Sequence, residues 1–110
     1  MKIAFTAQGT DLNAQIDPRF GRTQYLVVYD EETGEVKAVA NDALNEAHGA
    51  GPKMASKVGD LGAQVLITGN GPGGNAASVL SSMGVTVYVG ATGTLKEAYE
   101  AYKAGKLQKQ

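Results

Sequence analysis

Hydrophobic and polar positions alternate from the start of the chain, with Ile3, Phe5 and Ala7 on one side of residues 2–7, the period-two mark of a strand. A polar stretch follows over 8–24, and Tyr25-Leu26-Val27-Val28-Tyr29 then reads as a buried strand. Residues 30–35 are turn-like and acidic, and Val36 to Ala40 returns as the second arm of a hairpin. Like charges crowded at a turn tip repel, so the acid run reads as a solvated turn. After a second polar stretch, 41–51, Pro52 is placed like a first-turn helix proline. Met54, Ala55, Val58 and Leu61 follow at helical spacing, and Gly62 sits just past the helix end. Val65 to Thr68 is a short apolar strand. Residues 69–75 lead into a helix with Ala76, Val79, Leu80 and Met83 on one stripe, closed by Gly84. Val85 to Val89 is a fifth strand, and Thr94-Leu95-Lys96-Glu97 is a capping box opening a helix whose buried face is Leu95, Ala98, Tyr99 and Tyr102. Gly105 stops that helix, and 106–110 reads as a frayed tail.

This order predicts a single α/β domain over 1–110: an antiparallel meander followed by βαβ units, giving a mixed five-stranded sheet with three main helices. Direction alternates through the meander, so the end of the first strand, the start of the second and the end of the third share one sheet edge. If the last two strands run parallel to the first, residues 8–24, 41–51, 69–75 and 90–93 all gather there. Open α/β sheets bind ligands outside the carboxyl ends of their strands. Helix amino ends add unpaired N–H donors and partial positive charge, which makes an anion the natural guest.

Composition narrows the choices. The 110 residues carry a formal net charge of −1, without the broad positive field that holds a nucleic-acid backbone by counterion release. The absence of cysteine excludes disulfides and thiolate-held zinc or iron-sulfur centres, and it fits a reducing compartment. No apolar run approaches the ~20 residues of a membrane span, and the first residues are too polar for a signal peptide. The expectation is a soluble, cytoplasmic protein.

Both arginines of the sequence fall in Asp17-Pro18-Arg19-Phe20-Gly21-Arg22, while the other eight basic residues are lysines. A guanidinium presents a rigid fork of donors suited to oxyanions. Pro18 and Gly21 shape the loop, although Phe20 could instead pin it to the core while Asp11 and Asp17 pair with the arginines. Gly69-x-Gly71-x-x-Gly74 matches the dinucleotide fingerprint in form, but residues 85–93 lack the carboxylate that should follow. A smaller anion cradled by the turn, or a plain tight turn, fits better. His48, the single histidine, cannot build a mononuclear metal site alone. It is either one ligand to a cluster or anion, or an ordinary loop histidine. Residues 2–7 and 65–68 carry none of the strand-borne carboxylates of a two-metal nuclease, and no nucleophile has a recognisable base.

With these residues the chain resembles the dinitrogenase iron-molybdenum cofactor biosynthesis family, the NifX-like small proteins and the related carboxy-terminal domain of the cofactor-assembly protein NifB. The resemblance runs nearly end to end, and it is strongest in the amino-terminal strand, in the 17–22 loop leading into Tyr25 to Asp30, in Asn45 to Gly51 with His48, and in Thr68 to Gly73. It implies a ribonuclease H-like three-layer fold without nuclease chemistry. It also implies a non-enzymatic carrier of an anionic iron-sulfur or iron-molybdenum cluster, working with cofactor-assembly proteins. Arg19, Arg22, the donors of Gly69, Asn70, Gly71 and Gly73, and His48 as a metal ligand are the residues it points to. Lacking cysteine, such a carrier would hold its cluster loosely and transiently. Two other readings use the same loops: an enzyme or sensor for a phosphate or carboxylate metabolite, and a docking domain for a partner protein.

Overall fold

A computed structural model describes residues 1–43 and 49–110. Lys2–Ala7 (β1), Tyr25–Asp30 (β2) and Val36–Ala40 (β3) form the meander, followed by Ala50–Asp60 (α1), Val65–Ile67 (β4), Gly74–Ser82 (α2), Thr86–Val89 (β5), Leu95–Lys103 (α3) and Gln108–Lys109 (β6). The sheet order is β3-β2-β1-β4-β5-β6. β1 pairs antiparallel with β2 and parallel with β4; β4 and β5 are parallel, and β6 returns antiparallel.

The sheet therefore has six strands rather than the expected five, and the added one lies in the segment read as a frayed tail. Tyr88 pairs with Lys109 and Val89 with Gln108. An exposed polar edge pair leaves no hydrophobic alternation, which is why the pattern missed it.

Side chains from the two sheet faces fill separate cores, making three layers. Ala4, Leu26, Val28, Leu66 and Val87 pack under α1 and α2, against Met54, Val58 and Leu80. Ile3, Phe5, Val27, Val65 and Ile67 pack under α3, against Leu95 and Ala98. β1 is central, so Ala4 and Thr6 are as buried as Ile3, Phe5 and Ala7, and its apparent alternation is one of size rather than exposure. Met83, placed on the buried stripe of the third-quarter helix by spacing, is exposed instead, because α2 ends at Ser82 and Met83 is its C-cap. Its side chain lies against Gly59 of α1.

α2 ends in a Schellman turn: Val85 N–H donates to Leu80 O and Gly84 N–H to Ser81 O, with Gly84 at φ +76°. α1 and α3 stop in the same way at Gly62 and Gly105. α3 begins at the expected capping box, in which Thr94 accepts from Glu97 N–H and the Glu97 carboxylate accepts from Thr94 N–H.

Candidate functional site

The Arg-containing loop is anchored from both sides. Phe20 is buried in the α1/α2 core, a burial that contributes about 2–3 kcal/mol. Asp17 N–H donates to Thr6 O across 2.9 Å, and the Asp17 carbonyl accepts from the Thr6 hydroxyl at 2.6 Å. The Asp17 side chain is fully buried and accepts four hydrogen bonds, from Arg19 N, Arg19 Nε, Arg19 Nη2 and Gln24 N, at 3.1 to 3.3 Å.

Arg19 is thus braced by Asp17, the pairing anticipated as the structural alternative. The brace uses the Nε side of the guanidinium, while 55% of the side chain stays exposed. The hydrogen bond to Asp17, reinforced by its charge, raises the Arg19 pKa further. The result is a permanently charged fork held at the surface. Arg22 is exposed.

The glycine turn lies directly against this loop. Asn70 N–H donates to Pro18 O at 2.8 Å, and a Cβ on Gly69 would fall 2.8 Å from Pro18 Cα. Gly69 is required by that approach rather than by a left-handed conformation. None of Gly69, Gly71, Gly73 and Gly74 has positive φ, so the left-handed form of an anion nest is not built. The amides offered there belong to the start of α2.

α1 begins at the same place. Gly21 abuts Ala50 and Gly51, and Gly51 packs toward Ala76 at the start of α2. Gly49 and Gly73 are the N-caps of α1 and α2, and among the described residues neither start has a side-chain cap, in contrast to the boxed start of α3. The Arg19 loop, the glycine turn and two helix amino ends therefore meet at one sheet edge, as strand directions predicted. Residues 90–93 join them, with Gly90 N–H donating to Gly69 O. His48 lies outside the described residues.

Sequence reasoning missed what stitches this edge together. Among the described residues the buried polar side chains are Thr6, Asp17, Thr23, Asn41 and Thr68, and all five serve these loops. The Thr6 and Thr68 hydroxyls are hydrogen-bonded at 2.8 Å, with Thr6 accepting because its one proton goes to Asp17 O, and the Asn41 amide donates to Gly21 O and Thr23 O at 3.1 and 2.7 Å. Thr23 donates to Tyr25 O and accepts from Ala7 N–H. A threonine at an inward strand position next to a polar loop was the available signal.

Two acids of the edge, Asp17 and Asp42, are already matched. Asp42 pairs with Lys57 at 3.2 Å, a hydrogen bond that lowers its pKa. No grouping of three or more metal-ligating side chains occurs among the described residues. A cleft of about 490 Å³ beside α2, lined by Ala77, Ser81, Thr86 and Val87, excludes the arginine loop and has Lys109 as its charged residue. The loop edge, with its convergent N–H donors, is the stronger candidate.

Residues 1–105 match the family described as dinitrogenase iron-molybdenum cofactor. The chain belongs to this family. An uncharacterized protein of Methanocaldococcus jannaschii is 34% identical, over 99% of this chain and 91% of that one. Among solved structures, the apo form of the orange protein from Desulfovibrio gigas superposes with a TM-score of 0.92 at 34% identity, covering 99% of this chain and 92% of the other. A NifB-like Thermotoga protein of the DUF35 family gives 0.84 at 37% identity, covering 98% and 91%. These relationships support a role associated with the nitrogenase cofactor. No helix among the described residues is long and apolar enough to cross a membrane.

Proposed function

We propose that this protein is a non-catalytic, cytoplasmic carrier for an anionic iron-sulfur or iron-molybdenum cluster, or its precursor, during cofactor assembly. The observation that carries the proposal is the meeting of two helix starts without side-chain caps beside the Asp17-braced Arg19 fork. Each helix start supplies N–H donors and partial positive charge, and the guanidinium supplies a full charge. The donor set suits a cluster as cargo. With no cysteine in the chain, these groups bind the anionic outer surface of a cluster rather than its metals.

Within this proposal Arg19, Arg22 and the amides of Gly69, Gly71 and Gly73 hold the cargo, and Asn70, whose backbone N–H is committed to Pro18 O, contributes through its side chain. His48 is its single candidate metal ligand, and cofactor-assembly proteins are the exchange partners. The meander and parallel pair around β1 are consistent with the ribonuclease H-like class, used here without strand-borne catalytic acids. Support for the cargo comes from the family and from the orange protein, whose structure was solved as an apo form.

The test is anaerobic equilibrium dialysis of the protein against isolated iron-molybdenum cofactor, with iron and molybdenum assayed on both sides. Saturable retention that weakens in Arg19→Ala supports the carrier role. Retention abolished by millimolar phosphate or acetate points instead to a phosphate or carboxylate metabolite site. Failure to retain either metal refutes the proposal.

A further inference from the structure

The turn before α2 is touched by a residue from the other end of the chain. Gln110, directly after β6, donates its backbone N–H to Val87 O at 2.9 Å and its side-chain Nε2 to Pro72 O at 3.1 Å. A Cβ on Gly71 would lie 2.7 to 2.9 Å from the atoms of that side-chain amide. The bare backbone at 71 is what lets Gln110 reach Pro72.

Peptide geometry converts this contact into a direction. In a trans peptide the carbonyl and the following N–H point opposite ways, and the described chain contains no cis bond. With Pro72 O turned to Gln110, the Gly73 N–H faces away from Gln110. The next peptide is fixed as well, because Gly73 O accepts from Ala77 N–H at 2.8 Å and Gly74 N–H must point out of the helix start. Two consecutive amides at the head of α2 thus have set directions, one dictated by the helix and one by Gln110.

We propose that Gln110 is a positioning residue for the anion site, orienting the Gly73 N–H through Pro72, with Gly71 as the clearance that permits it. This rests on the cargo reading above and adds to it a residue from a segment that no loop motif contains. A donor held in its binding direction avoids the ordering cost of an unfixed one. Gly71 and Gln110 act as one unit, since a methyl at 71 displaces the same amide that a substitution at 110 removes.

The experiment compares wild type, Gln110→Met, Gly71→Ala and the double variant, each titrated anaerobically with isolated iron-molybdenum cofactor, with the Gly73 amide resonance recorded before addition. Methionine keeps the length and packing of glutamine but cannot donate. The expected result is about five- to tenfold weaker binding in each single variant, the scale of one lost hydrogen bond, with a displaced Gly73 resonance. The double variant should be no weaker than either single one, because both remove the same contact. Wild-type affinity and an unmoved Gly73 resonance in Gln110→Met would overturn the role of Gln110 while leaving the carrier reading intact. Additive losses in the double variant would overturn the pairing with Gly71. No binding by wild type overturns the carrier reading, and the positioning role with it.

Discussion

Replacing Gly69 with alanine tests whether the arginine loop and the glycine turn are truly in contact. The new Cβ would lie 2.8 Å from Pro18 Cα and 3.1 Å from Pro18 Cβ. Carbon atoms settle near about 3.5–4.0 Å, so the two backbones must separate by roughly 0.7–1.2 Å. Neither atom is the end of a flexible side chain that could swing aside. The Asn70 to Pro18 hydrogen bond, now 2.8 Å, would stretch past useful length. Overpacking costs about 1–3 kcal/mol and a lost hydrogen bond about 0.5–1.5, for a combined loss of about 2–4 kcal/mol. In a domain of this size that lowers Tm by about 10–15 °C. Urea denaturation and thermal melting of Gly69→Ala measure it, with Gly74→Ala as the control. A Cβ at Gly74 meets nothing within 4 Å, so alanine there should be neutral or stabilise by up to about 1 kcal/mol. Equal stability of the two variants would refute the contact.

Gly84→Ala meets no neighbour either, but φ is +76°, so the left-handed backbone should cost about 1 kcal/mol in urea denaturation with no change in m-value. Thr94→Ala removes the N-cap of α3 and should cost about 1 kcal/mol, visible also as faster amide exchange at Glu97. The hydrogen bond from Tyr99 to Glu31 lowers the Glu31 pKa and raises that of Tyr99 to about 12. Glu31 then contributes stability above the ordinary carboxylate pKa, lost as pH falls through its lowered value. Tyr99 contributes stability below the ordinary tyrosine pKa near 10, lost as pH rises toward 12. Tyr99→Phe should remove the alkaline dependence, with loss of the highest tyrosinate absorbance wave, and weaken the acid one, which Lys103 still sustains through its 3.1 Å pair with Glu31.

Strand and helix positions were legible because each rests on local periodicity and punctuation. β1 and β3 fall where alternation and the hairpin placed them, and Thr94 and Glu97 form their box. Strand direction alone predicted the loop edge, since it follows from counting reversals. The bonds that fix the edge were not legible. Thr6 and Thr68 are 62 residues apart, and nothing near either one announces the other. The glycine spacing suggested a nest or a tight turn, whereas Gly69 answers to Pro18 and Gly71 to Gln110. Both partners are set by tertiary approach, which spacing within the motif cannot encode. β6 escaped notice because a two-residue polar edge strand is defined by its backbone pairing rather than by its side chains.

The most direct measurement is an anaerobic amide and guanidinium NMR titration with isolated iron-molybdenum cofactor. Saturable shifts should concentrate at the Arg19 Nη protons, Gly51, Gly73 and Gly74, with α3 and the acidic turn after β2 unmoved. Shifts clustered on α3 or around Glu31, with Arg19 and the α2 amides silent, would contradict the assignment of the anion to this edge.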